Sequence, residues 1–150
     1  MATTPKPRSR ASSAKKSSSD WVHLDTDFLV WALSVRGPER RRFDELLSSP
    51  MRIEMSAIAW YEFCRGPRSQ EQLAVARQAF GTGGIVAFDD MMADRAAEVF
   101  RLLGSPRKRA ADVAIGVTAV ARSATLLTRN ARDFRGIDGL EIEDLGLTRA

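Results

Sequence analysis

The stretch "VHLDTDFLVWAL", residues 22–33, decides the fold. It opens as an apolar run, meets two aspartates one residue apart (Asp25 and Asp27), and continues with apolar residues at helical spacing. Alternate residues of a strand point to opposite faces, unless the strand has ended and the chain is turning. A carboxylate at the end of a buried strand is costly unless something positive meets it. The stretch therefore reads as a strand over residues 21–24, a turn at Asp25, and a helix over residues 27–34. The partner that Asp25 requires is a helix N-terminus, an arginine or a metal ion.

Outward from this stretch, short apolar runs alternate with helical patterns. Gly37-Pro38 breaks the chain, and Pro38 suits the first turn of a helix running to about Ser48. Residues 52–55 form a short strand. Ser56 is a good N-cap for a helix through Arg65, which Gly66-Pro67 ends. Residues 69–80 form another amphipathic helix, "GTGG" (81–84) a turn, and residues 85–88 a strand. Helices follow over residues 90–103 and 108–123, then a strand "ATLLT" (124–128) and a last strand at 140–142. There is no internal repeat. Strands alternating with helices predict an α/β domain whose short, mainly parallel sheet is covered on both faces. In such sheets ligands sit beyond the carboxyl ends of the strands, which is where Asp25 falls.

The chain has 150 residues, enough for one domain with one real core, and no run long and apolar enough to span a bilayer. Its single cysteine, Cys64, excludes an internal disulfide and fits a reducing compartment. The net charge of +4 lies entirely in residues 1–20, which hold five basic residues and one acidic one. Residues 21–150 hold 18 of each sign. The pI alone is therefore no argument for nucleic-acid binding by the domain. Residues 1–20, rich in Ser, Ala and basic residues, read as a disordered tail, solvated or serving as a weak electrostatic arm; residues 21–150 read as the folded domain.

Three further acids occupy comparable places. Glu62 lies nearly two turns into the helix that Ser56 caps, among largely apolar neighbours. Asp112 lies early in an alanine- and valine-rich helix, where the macrodipole alone favours an acid. Asp133 follows the strand ending at Thr128, in "TRNARDF", with Asn130 beside it. Such a cluster cannot stay ionised without cations, and an all-oxygen set suits Mg²⁺ or Mn²⁺, ions that serve phosphoryl chemistry.

Taken in order, "HLDTDFLVWAL", "SAIAWYEFCRG", "AADVAIGVTAVARSATLLTRN", "TRNARDF" and "LEIED" resemble the motifs of PIN-domain ribonucleases, specifically VapC-like toxins of type II toxin–antitoxin pairs. The resemblance covers about residues 22–144 and implies a three-layer α/β/α fold. It implies a cytoplasmic endoribonuclease using one or two Mg²⁺ or Mn²⁺ ions, a homodimer, and a small VapB-like antitoxin that blocks the site. It assigns Asp25, Glu62 and Asp112 as catalytic metal ligands and Asp133 as the fourth acid. Asp27, where many relatives carry Asn or Ser, is a supporting residue, together with Thr26, Thr128 and Asn130; some relatives carry an acid at the place of Asn130. Attack by water at phosphorus, expelling the 3′-oxygen, implies products with 5′-phosphate and 3′-hydroxyl ends. Arg107, Lys108, Arg109 and Arg65 are candidates for holding RNA phosphates.

Other features suggest less. The arginines of "ERRRF" (39–43) splay around a helix and read as a solvated face. His23, the only histidine, reads as structural, and Cys64 as a buried apolar group. Two rival functions remain. One is a PIN module that binds RNA or a protein without cleaving. The other is a haloacid-dehalogenase-like phosphatase built on "LDTD", with Asp25 as nucleophile and Asp27 as acid. The phosphatase needs a downstream lysine and a late acidic pair, and beyond the tail the only lysine is Lys108.

Overall fold

The computed structural model describes residues 20–146. The tail assigned to residues 1–20 therefore lies, apart from Asp20, outside the described residues. Five strands form one parallel sheet in the order β3-β2-β1-β4-β5. They are β1 (Trp21–Leu24), β2 (Arg52–Ser56), β3 (Ile85–Val86), β4 (Thr125–Thr128) and β5 (Glu141–Asp144). Six helices flank them, α1 (Thr26–Ser34), α2 (Pro38–Leu47), α3 (Ala57–Arg65), α4 (Gln70–Phe80), α5 (Asp90–Leu102) and α6 (Ala110–Ala121). The result is a three-layer α/β/α domain, as the alternation predicts. Among the described residues, no helix is long and apolar enough to cross a membrane.

The differences in boundaries are local. The strand expected over 85–88 stops at Val86, because Ile85 and Val86 alone pair with β2 at the edge of the sheet. The helix expected from Lys108 is preceded by a 3-10 turn, Arg107–Arg109, and a second such turn, Ala131–Phe134, follows β4.

The central strand β1 pairs with β2 on one side and β4 on the other, and its side chains from Val22 to Leu24 are buried. Leu24, Phe28, Leu29, Phe63, Met55, Ile115, Leu126 and Leu127 fill the core around it. Helix α6 is buried from Val113 to Ala119. Gly116 lets the chain after β4 close on this helix: a Cβ there would lie 2.6 Å from Ile137 Cδ1 and 3.3 Å from Phe134 Cδ1. That close approach brings the Asp133 turn against the N-terminal half of α6.

Charges are also buried. His23 faces Glu54 across β1 and β2, with Nδ1 3.1 Å from Glu54 Oε1, and Arg122 Nε donates to the other Glu54 oxygen at 3.1 Å. His23 is thus structural, as expected. The solvated-face reading of residues 39–43 needs correction. Glu39 is buried and paired with Arg129 at 2.9 Å, while Arg42 forms a two-pronged bond to Glu143 of β5 at 2.9 and 3.0 Å. Their partners lie 90 and 101 residues away, beyond the reach of local spacing.

Candidate functional site

Asp25 occupies two structural roles at once. Its N–H donates to Leu127 O at 3.0 Å, continuing the sheet ladder by one residue. Its own backbone is extended, its carbonyl accepts from Leu29, and its Oδ1 accepts from Thr26 N at 2.8 Å, so it is also the N-cap of α1. Ser, Thr, Asp and Asn serve as caps because a short side-chain oxygen can reach the unpaired N–H groups of the first turn. Oδ2 accepts from Thr128 Oγ1 at 2.8 Å. Of the three partners that the sequence offered Asp25, the structure supplies the helix N-terminus.

These two bonds do not offset burial. The carboxyl of Asp25 is pushed up to about 7, chiefly by its removal from water and further by Asp27 and Asp112, against the pull of Thr128 and Thr26. Among the described residues, no cation is one of the main groups acting on it.

The other predicted acids surround this point. Ser56 caps α3 by accepting from Ile58 N and Ala59 N, and so sets the helix that carries Glu62. Thr26 Oγ1 lies 3.3 Å from Ala59 O and 3.4 Å from Glu62 Oε1, linking the starts of α1 and α3. Glu62 is half-buried and shifted upward by desolvation, while Arg65, 3.9 Å away, and Thr26 act in the opposite direction. Asp112, in the first turn of α6, is pushed up to about 6 by desolvation first, then by Asp133, Glu62 and Asp27, with Arg109 opposing. Asp27 is exposed, and its Oδ2 accepts from Asn130 Nδ2 at 2.6 Å. The expected acids therefore converge on one edge of the sheet, and Asp133 joins them through Asp112.

Two supporting residues take roles different from those the sequence suggested. Thr128 donates to Asp25 and its oxygen accepts from Asn130 N, so it orients a carboxylate directly. Arg109 donates to two backbone carbonyls, Asp133 O at 2.9 Å and Arg135 O at 2.5 Å, pinning the 131–135 segment to the start of α6. Sequence reasoning passed over Arg129, which follows Thr128. Its guanidinium sits 3.7 Å from the centre of the Trp31 ring while pairing with Glu39. The strand end that holds Asp25 is thereby tied to α1 and α2. Nothing local in "LLTRN" signals it.

The donor set fits a hard divalent ion: every candidate ligand is a carboxylate, and burial with mutual repulsion disfavours the ionised cluster on its own. Among the described residues, no three Asp, Glu, His or Cys side chains are gathered closely enough to hold an ion between them. An ion bound here would have to keep much of its own water, as Mg²⁺ commonly does.

The family model for the PIN domain matches residues 22–140, which include Asp25, Glu62, Asp112 and Asp133. The chain belongs to the PIN-domain family. Similar solved structures include a chain of a toxin–antitoxin complex and chains of VapBC complexes. A chain of a Klebsiella pneumoniae toxin–antitoxin complex is 28% identical, with a TM-score of 0.61 over 79% of this chain and 94% of that one. A chain from DNA-bound VapBC of Salmonella typhimurium is 24% identical (TM-score 0.63, 82% and 96%). One from VapBC2 of Rickettsia felis, bound to a promoter DNA fragment, is 20% identical (TM-score 0.63, 83% and 98%). The latter two speak to the fold alone. Among curated proteins no sequence matches this one.

Proposed function

We propose that this chain is a VapC-like toxin: a Mg²⁺- or Mn²⁺-dependent endoribonuclease held in check by a small antitoxin. The observation that carries the reading is Asp25, a carboxylate sealed into the end of β1 beside Asp27 and Asp112 with no cation to meet it. A helix cap alone does not call for Asp27 and Asp112 to act on it, nor for Glu62 and Asp133 to act in turn on Asp112. The toxin–antitoxin setting is supported by the Klebsiella pneumoniae relative, and we extend to this chain its association with an antitoxin. Homodimerisation and a cytoplasmic setting belong to the same proposal.

Asp25, Glu62 and Asp112 are the residues that would hold the ion, in part through its own water ligands, since no three of the described carboxylates are gathered tightly around one point. A divalent ion bound there supplies the charge that stabilises a phosphodiester in transition and lowers the pKa of water. The remaining work belongs to the chain. Thr26 N and Thr128 Oγ1 each occupy one oxygen of Asp25 and so fix the plane of its carboxylate. Asn130 fixes Asp27, and the Arg109 clamp keeps Asp133 near Asp112. In the overall reaction water adds to phosphorus, the bond to the 3′-oxygen breaks, and that oxygen takes up a proton. The ends are then 5′-phosphate and 3′-hydroxyl.

The test is cleavage of an RNA pool by the purified chain with Mg²⁺, with Mn²⁺ and with EDTA, beside Asp25→Asn. Metal-dependent cutting that leaves 5′-phosphates, and a loss of about 10³-fold or more in the variant, is the expected result. Equal inactivity of both proteins, each folded and metal-loaded, would favour a PIN module that binds without cutting. Release of phosphate from small phosphomonoesters would favour the phosphatase.

A further inference from the structure

We propose that residues 107–109 and 131–135 form one basic rim that grips the RNA backbone beside the acidic edge, and that Arg109 assembles it. This inference rests on the nucleic-acid reading above. The two segments are separated by more than 20 residues, and beside the packing at Gly116 the Arg109 guanidinium joins them by bridging Asp133 O and Arg135 O. Both acceptors are neutral carbonyls, so the arginine's positive charge stays in the rim. Arg107, Lys108, Arg132 and Arg135 are all exposed. Among the described residues these four rim cations form no ion pair, a condition they share with Arg36, Arg41, Arg95 and Arg101; what sets them apart is that they stand together beside the acidic edge.

The rim borders an open cleft of about 530 Å³, which Asn130, Arg132, Asp133 and Arg135 line together. Asn130 holds Asp27 and Asp133 acts on Asp112, so these two lining residues place the cleft, which Arg129 and Asp144 also line, next to the acidic edge. Guanidinium groups match phosphate oxygens in fixed two-pronged geometry. A chain with regularly spaced phosphates can lie on the rim and pass one phosphate to the acids, where a divalent ion makes it welcome. An acidic peptide would satisfy the rim alone. A second exposed cluster, Arg36, Arg40 and Arg41, surrounds Asp44 in a separate cavity and provides a control of similar charge.

The experiment measures binding, so it stands apart from the question of cleavage. In an Asp25→Asn background, affinity for a labelled single-stranded RNA is followed by anisotropy across a salt series. Residues 1–20 contribute equally to every variant. Arg132→Gln/Arg135→Gln should lower the slope of log affinity against log salt by about 1.4, since each lost contact with a single strand removes about 0.7. Arg109→Lys keeps the charge but replaces two spaced donor nitrogens with one, so it does not reproduce the bridge from Nε and Nη2, and should weaken binding about as much as Arg109→Met. If either Arg109 variant fails to fold by circular dichroism, the double variant carries the test. An unchanged slope in the double variant, or a slope lost only in Arg36→Gln/Arg41→Gln, would overturn the proposal. So would a rim whose variants spare RNA but weaken binding of an oligoglutamate peptide. If no RNA is ever cut while the slope behaves as expected, the rim stands and the nuclease reading falls.

Discussion

Glu54 and Asp25 are both sealed inside the same sheet, on adjacent strands, and they are satisfied in opposite ways. Glu54 has a cation at one oxygen and the His23 ring at the other. Glu39, equally buried, has Arg129. Asp25 has a hydroxyl, one backbone N–H and two acidic neighbours. His23 and Asp25 are two positions apart, and Asp25 continues the ladder of β1 by one residue, so both side chains leave on the same side. The chain therefore neutralises its charge in the body of the sheet and leaves it uncompensated at the carboxyl end. This contrast locates function better than burial does. A structural carboxylate is finished by the fold, whereas a functional one is held in place with its charge still to be met.

The sharpest way to break the contrast is to remove the finished partner. Glu54→Ala leaves Arg122 and His23 without their acceptor and should destabilise the protein by about 3 kcal/mol, read as a shifted urea midpoint. Asp25→Asn should do the reverse in metal-free protein. The folded carboxyl titrates near 7 against an ordinary 3.8, so the native state holds a proton that the unfolded state gives up. That contribution to stability is present at low pH and is lost as pH rises through about 7. At pH 8 the wild type should be less stable than Asp25→Asn by up to about 4 kcal/mol. The gap should shrink as pH falls towards 4. Equal stability of the two proteins across this range, by chemical denaturation in EDTA, would mean that Asp25 is as well compensated as Glu54. A smaller effect comes from the packing that brings Asp133 to Asp112. Gly116→Val should cost about 1–3 kcal/mol in overpacking against Ile137 and Phe134, and should lower cleavage by loosening the Asp133 turn. Thermal denaturation and a single-turnover assay would check both halves.

Much of this arrangement is legible in the sequence where the causes are local. Asp25 announces itself because a strand end and a helix cap fall on one residue. Ser56 is legible as a cap, and "GTGG" as a turn: Gly81 and Gly83 take positive φ, and a Cβ at Gly84 would collide with Phe80 O. The convergence of Glu62 and Asp112 follows from strand order once the sheet is parallel. What was not legible is long-range. The arginines of residues 39–43 look alike, but one of them reaches β5. The glutamate before them looks exposed, yet it is buried under Arg129. Arg109 has the composition of a phosphate ligand, and its geometry is that of a clamp. Side chains paired across 24 to 101 residues leave no periodicity to read.

Direct titration of Mn²⁺ tests the proposed cation site at the acidic edge. Calorimetry at pH 7.5 should show wild-type protein binding the ion with release of protons, because Asp25 is partly protonated beforehand. Asp25→Asn should bind at least about tenfold more weakly. Indistinguishable isotherms for the two proteins, or no binding by the wild type, would contradict the account.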